Sequence, residues 1–386
     1  MRLFPAAVTS LCLLSISLTL TAVPAIAASP FVPDNDAQVL ADLPAGSRNA
    51  GSGLRSITST RLDVALPLAQ LDISRARTTG DLRFLGYAEA ILTPWMNRPD
   101  PEAQILVLHA TILQSRHSFD EALVELDRAL TVRPNDPQAW LTRATVLRVL
   151  GRYADAMGSC RHLVAAAGSP IGTLCEQSLR GLMGHLQNAY DVIASMATSG
   201  LSREARAWRL SELGEMAERL GVDTDAERWF REGLQLAPDD FYMRSAFADL
   251  LLRTGRPAEA LTLLAGRESM EPMLLRIAIA HEQLRDGAGA DDGSMLSSLF
   301  DMEQQRGDAV HRREQARFLL DVRHLPTEAL AAAQENWKVQ HEPDDILLLL
   351  RSAQAAHQPE AAAAARRFVK EQALEDVRIQ PYEGEM

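Results

Sequence analysis

The chain has 386 residues and a formal net charge of −12, with 51 acidic against 39 basic side chains. An acidic chain argues against nucleic acid and against an anionic lipid surface as the partner. The length allows two ordinary domains, but it also suits a repeat array, which can grow without dividing because each unit contacts only its neighbours.

The N-terminus has the pattern of a secretory signal peptide. Met1-Arg2 precedes an apolar run over 11–20 and then Ala25-Ile26-Ala27, so residues 1–27 are predicted to be removed after Ala27. An uncleaved N-terminal anchor is the alternative. No later segment approaches the ~20 apolar residues that span a bilayer. We therefore expect a soluble exported protein, periplasmic or secreted, as in a Gram-negative bacterium.

Residues 28–60 contain several Pro and Gly with little periodicity, which predicts a flexible linker. Beyond them the pattern is helical, and Ala88, Ala122 and Ala156 stand 34 residues apart. A period in the thirties indicates one supersecondary unit copied and stacked. Small side chains at these positions would let two helix axes approach closely, where a large side chain would overpack the contact.

Helix-capping residues between the apolar runs predict that the helices come in pairs. Asp136-Pro137 and Asp239-Asp240 precede new runs and supply the acceptors that a helix N-terminus favours. Gly151, Gly221 and Gly255 fall between the two helices of a pair, where a left-handed C-terminal residue is easiest for glycine. We expect about nine pairs, with helices of roughly 12 to 16 residues.

Four segments resemble tetratricopeptide repeats: 101–134, 137–168, 207–238 and 241–272. The resemblance implies an all-α fold, a right-handed superhelical solenoid of antiparallel helix pairs. It also implies a concave groove, lined by the first helix of each pair, that holds proteins or peptides.

We place the array at 61–375 and a C-terminal tail at 376–386, whereas 273–306 departs from the repeat pattern.

Cys160 and Cys175 are the thiols that remain after processing. They lie at similar distances from the turn near Gly168, so in an antiparallel pair they would face each other within plausible bonding reach. Export would place them in an oxidising compartment. We predict a disulfide, with two buried free thiols or a redox pair as the alternatives.

Catalytic and metal-binding patterns are missing from the sequence. His281-Glu282 begins like a zinc-protease motif, but Arg285 stands where the second histidine is needed. Zinc needs three or four converging ligands, and no cradle for a nucleotide or other cofactor is visible. The sequence therefore predicts neither enzyme nor cofactor.

Helix register predicts which side chains line the groove. Amides, hydroxyls, charges and aromatics there would suit an extended peptide, whose backbone needs donors and acceptors. For Trp208 and Leu141, burial between repeats is the alternative. The predicted groove residues are Gln104, Thr111, Gln114, Gln138, Leu141, Thr145, Arg148, Trp208, Glu215, Tyr242 and Asp249.

Two other functions remain open at this stage. One is an enzyme or cell-wall-acting protein with its site in the atypical region 273–306. The other is a purely structural subunit. Converging ionisable groups in a pocket of that region would favour the enzyme, and plain helix packing would not.

Overall fold

The computed structural model describes residues 61–268, 270–306 and 312–382, all within one compact unit that spans 56–386. The predicted signal peptide at 1–27 and the predicted linker at 28–60 lie outside the described residues. The same is true of the last four residues of the predicted tail.

The described residues form eighteen α-helices and contain no strand, which confirms the all-α prediction. Consecutive helices pack as nine antiparallel pairs. None of the described helices is both long enough and apolar enough to cross a bilayer. The helices are α1 (Leu62–Thr79), α2 (Arg83–Met96), α3 (Ala103–Ser115), α4 (Phe119–Val132), α5 (Pro137–Val149), α6 (Tyr153–Ala167), α7 (Ser169–Arg180), α8 (Leu186–Ser195), α9 (Arg203–Leu220), α10 (Asp223–Leu236), α11 (Phe241–Arg253), α12 (Pro257–Leu264), α13 (Glu271–Leu284), α14 (Gly289–Arg306), α15 (Arg312–Asp321), α16 (Pro326–Trp337), α17 (Pro343–Ala355) and α18 (Ala363–Gln372).

The small residues of the repeat pattern lie where helices touch. Ala88, Ala122 and Ala156 are fully buried in the core. In the fifth pair, Gly214 on α9 faces Phe230 on α10 so closely that an added Cβ would collide with the ring. The 34-residue spacing therefore marks buried positions of the helix pairs.

Capping residues explain where the helices begin and end. Asp136 and Asp240 accept hydrogen bonds from the backbone N–H of Ala139 and Met243, each at 3.0 Å, and so satisfy donors of the first turn. Gly221, just beyond α9, has a φ of 78°, the left-handed conformation expected of a glycine at a helix end.

The atypical region 273–306 also forms a helix pair, α13 and α14, joined by the turn around Gly287. Leu296 and Phe300 of α14 are buried, and the Phe300 ring lies 5.5 Å from that of Phe318. The sequence pattern departs here, but the architecture continues as ordinary helix packing.

The array closes on itself through its last pair. Side chains of α16 to α18 share an apolar core with α3 to α7, and the N–H of His341 donates to the carbonyl of Val149 at 2.8 Å. Packing continues beyond α18, because Asp376 and Ile379 are buried. Helices far apart in sequence therefore face one another across the inside of the solenoid.

Candidate partner-binding surface

A set of charged and aromatic side chains lies on the inside of the array, on the first helices of the third, fifth, sixth, eighth and ninth pairs. We call it the inner-face cluster. Its members meet across pairs that are not neighbours in sequence. They are Arg148, Glu212, Glu215, Tyr242, Asp249, Arg313, Arg317, Glu342 and Asp345.

Arg148 of α5 is the junction between three pairs. Its Nη1 donates to Oε1 of Glu212 at 2.6 Å, whereas its Nη2 lies 3.7 Å from Glu215 and its Nε 3.8 Å from Glu342. The indole N–H of Trp208 donates to the same Glu212 oxygen at 3.0 Å. Burial alone would raise the pKa of Glu212, but Arg148 brings it below its usual value. The arginine is thus committed mainly to Glu212.

The charge of Glu215, one turn further along α9, is less compensated by Arg148 than that of Glu212. Burial raises the pKa of this carboxyl to about 8, and the neighbouring Glu212 carboxylate adds to the rise. Tyr242 of α11 has 47% of its surface exposed, and the nearby Glu215 carboxylate raises the pKa of its hydroxyl. A carboxyl that shares its only described cation, Arg148, with Glu212 therefore lies beside an accessible aromatic ring.

Asp249 of α11 contrasts with Glu215. Its carboxylate accepts from Arg276 at 2.6 Å and lies 2.9 Å from Arg317. Burial alone would raise the pKa of Asp249, but the two arginines bring it below its usual value. This end of the cluster is an ion-pair network that fastens α11 to α13 and α15.

Arg313 secures the ninth pair to the same network. It contacts Oδ1 of Asp345 at 2.6 Å and the Glu342 carboxylate at 3.1 Å. Asp345 also accepts from the N–H of Glu342 at 2.9 Å, closing the first turn of α17. Glu342 therefore lies between Arg148 and Arg313, at the centre of the inner face.

The structure brings together three of the predicted groove residues: Arg148, Glu215 and Tyr242. A fourth, Asp249, pairs instead with Arg276 and Arg317. Trp208 and Leu141 are half-buried and pack against the apolar core, as the alternative interpretation had it.

The other predicted groove residues stand apart from the cluster. Each of three residues donates a hydrogen bond within its own helix: Thr111 to the carbonyl of Val107, Gln138 to the hydroxyl of Thr142, and Thr145 to the carbonyl of Leu141. Gln104 is exposed and Gln114 half-buried, both on α3.

Sequence reasoning missed five members of the inner-face cluster: Glu212, Arg313, Arg317, Glu342 and Asp345. The signal available was local: Arg313 and Arg317 are four residues apart on one helix face, and Glu342 begins the next apolar run. Nothing in that spacing tells that the ninth pair returns to meet the third.

The predicted cysteine pair lies between the third and fourth helix pairs. The structure joins Cys160 of α6 to Cys175 of α7, with the Cα atoms 5.5 Å apart and both side chains buried. The Cα distance is typical of a disulfide. Formation of the bond in the protein stays a prediction.

His281 and the atypical region 273–306 are the places that the sequence analysis considered for metal binding and catalysis. Among the described residues, no group of three or more His, Cys, Asp or Glu side chains could hold a metal ion. His281 contacts Asp286 at 2.7 Å, an interaction that closes the α13–α14 turn. A cavity of about 260 Å³ lies elsewhere, between α10, α11 and α12, and is lined by Arg231, Arg244 and Phe247 among others.

Comparison with known proteins gives partial matches. No family model matches the chain. It is 28% identical over 198 residues to the cellulose synthase 2 operon protein C of Komagataeibacter xylinus, an alignment that covers 47% of this chain and 15% of that much longer protein.

Solved structures of similar fold include a tetratricopeptide repeat protein from Parabacteroides merdae (15% identity, 74% of this chain and 99% of that one, TM-score 0.36). They also include pilF of Pseudomonas aeruginosa (16% identity, 67% and 99%, TM-score 0.32). The helix pairs of this chain, with their buried repeat residues, confirm the predicted resemblance at the level of the fold: the described residues form a tetratricopeptide-type helical repeat scaffold.

Proposed function

We propose that the chain is an exported, non-catalytic scaffold that binds a protein or peptide on its inner face. One observation carries the proposal: Tyr242 is 47% exposed on that face, beside a carboxyl whose nearest cation is engaged elsewhere. A repeat scaffold with an accessible aromatic ring among charges suits recognition of an extended chain.

The chemistry of this surface favours a basic side chain of the partner. Arg148 lies 2.6 Å from Glu212 but 3.7 Å from Glu215, so the Glu215 carboxyl is the less compensated of the two. Glu342 and Asp344 also act on Tyr242 as negative charges. A Lys or Arg of the partner would pair with Glu215 and lie over the Tyr242 ring, an arrangement that contributes about 0.5–1 kcal/mol at exposed sites.

Two further observations support this function. The region 273–306, where an enzyme site was the alternative, is a helix pair with buried Leu296 and Phe300, and the described cavity of about 260 Å³ lies outside it. The partial match to a protein named for a cellulose synthase operon fits a role at the cell envelope.

The test is site-specific photo-cross-linking in the intact cell envelope. A cross-linking amino acid at Tyr242 should capture a discrete partner, and Glu215→Gln should reduce that capture because it removes the anionic form of the side chain. Tyr87 on α2 is the matched control, since it is also 47% exposed. Equal capture from the two positions would overturn the proposal.

A further inference from the structure

We propose that the turn before the last helix pair and the segment after that pair form an intramolecular clasp across the inner face, and that release of the clasp widens this face for the partner that contacts Tyr242. The clasp comprises the turn at 338–342 and the segment at 373–382. The existence of the clasp is independent of the proposed function, whereas its role in partner access rests on that function.

Long-range backbone contacts mark the clasp. Repeats of a solenoid normally contact only their neighbours. Among the backbone hydrogen bonds outside helices in the described residues, two join positions more than a hundred residues apart, and both come from the clasp. The N–H of His341 donates to Val149 at 2.8 Å, and the N–H of Val377 donates to the carbonyl of Arg219 at 2.9 Å.

Side chains complete the same two attachments. The hydroxyl of Tyr153 donates to the carbonyl of His341 at 3.0 Å. At the second attachment, the backbone N–H of Leu186 donates to the Glu375 carboxylate at 2.7 Å. Both are polar contacts between distant parts of the chain, which water can replace when the parts separate.

The receiving surface is shaped for the clasp. Gly151 has a φ of 71°, and an added Cβ would lie 2.9 Å from side-chain atoms of His341 and Phe368. The Phe368 ring contacts the Tyr153 ring at 5.6 Å. The α5–α6 turn therefore has room for the last pair only because it lacks a side chain.

The clasp also sets the charge of the inner face. Glu342 belongs to it and contacts both Arg148 and Arg313. Arg378 pairs with Asp344 at 3.1 Å and with Asp376 at 2.7 Å. Movement of these residues would uncover the end of α9 and change the charges that a partner meets.

The experiment compares two double variants of the exported chain with equal changes of charge. Glu375→Ala with Arg378→Ala removes attachments of the clasp. The control is Glu371→Ala with Arg367→Ala, because both residues are exposed on α18, the helix directly before the clasp segment. Hydrogen–deuterium exchange and small-angle scattering are measured without any partner.

The clasp variant should exchange at least about tenfold faster at the backbone N–H groups of His341 and Val377, the donors of the two long-range bonds, with unchanged exchange in α3 and α4 and a larger radius of gyration. Unchanged exchange at these positions would overturn the clasp. So would a uniform increase throughout the array, because the segment would then be an ordinary part of the global fold.

A separate measurement tests access. Cross-linking from Tyr242 in the envelope should rise in the clasp variant and not in the control. Local opening without that rise would leave the clasp in place but overturn its role in access, whereas no capture from Tyr242 in either variant would count against the proposed function itself.

Discussion

Two regions of the molecule differ in the side chains that form them. The apolar spine between the helices consists of hydrophobic residues, whereas the inner face consists mainly of charged ones. In the spine, by which we mean the apolar core between the helices, Ala122, Ala156 and Phe230 are fully buried among other apolar side chains. On the inner face, Arg148 and Asp249 are each surrounded by charges from several helix pairs. The spine therefore stabilises the fold by burying apolar surface. On the inner face, ion pairs fix the relative positions of the helices.

The largest effect should come from the spine. Phe230→Ala leaves a cavity between α9 and α10 and should lower the free energy of unfolding by about 3–5 kcal/mol, as measured by urea denaturation. Tyr242→Ala, which removes an aromatic ring from the inner face, should change it by less than about 1 kcal/mol. A similar loss of unfolding free energy in the two variants would contradict the distinction between spine and inner face.

Removal of the disulfide should have the next largest effect. Closing the loop between Cys160 and Cys175, 15 residues apart, should contribute about 3 kcal/mol in the chain-entropy model, which Cys160→Ala with Cys175→Ala would remove. In addition, the denatured, non-reduced protein should resist thiol alkylation. Labelling of both cysteines under those conditions would show that the bond does not form.

A smaller loss should follow when one partner of the inner-face pair is removed. Glu212→Ala leaves Arg148, whose side chain is 18% exposed, without its contact at 2.6 Å, at a cost of about 2 kcal/mol, because Glu215 can take over only part of the interaction. Replacing both residues, Arg148→Met with Glu212→Leu, should recover most of that loss in the same urea assay. A double variant as unstable as the single one would contradict this account of the pair.

The smallest effect should be a dependence on pH. Burial, with neighbouring carboxylates, raises the pKa of Glu215 to about 8 and that of Glu218 to about 7, against about 4.3 in an unfolded chain. Their contribution to stability is complete below about pH 4 and is lost as the pH rises through 7 to 8. The thermal midpoint should therefore fall between pH 6 and pH 9.

Glu215→Gln should flatten this dependence, whereas Glu227→Gln should not. Arg256 lowers the pKa of Glu227 to about 2, so that residue does not titrate in the range. A slope that survives in Glu215→Gln with Glu218→Gln would show that other groups cause it.

The limits of the sequence analysis follow from how far each contact reaches along the chain. Ala88, Ala122 and Gly221 were predictable because a repeat period and a helix end are local patterns. Helix register also selected Arg148 and Asp249 for the inner face. It missed Glu342 because that residue meets Arg148 only after the curvature of six further helix pairs has accumulated.

The bridge between α6 and α7 has a mechanical consequence. Once the contacts between the ninth and third pairs have broken, a solenoid pulled from its two ends yields one hairpin at a time, since each pair then holds only to its neighbours. With Cys160 joined to Cys175, the 15 residues of that loop cannot extend, which hides about 50 Å of contour length. In an optical trap, reduction should lengthen one step of the unravelling by that amount and leave the other steps alone.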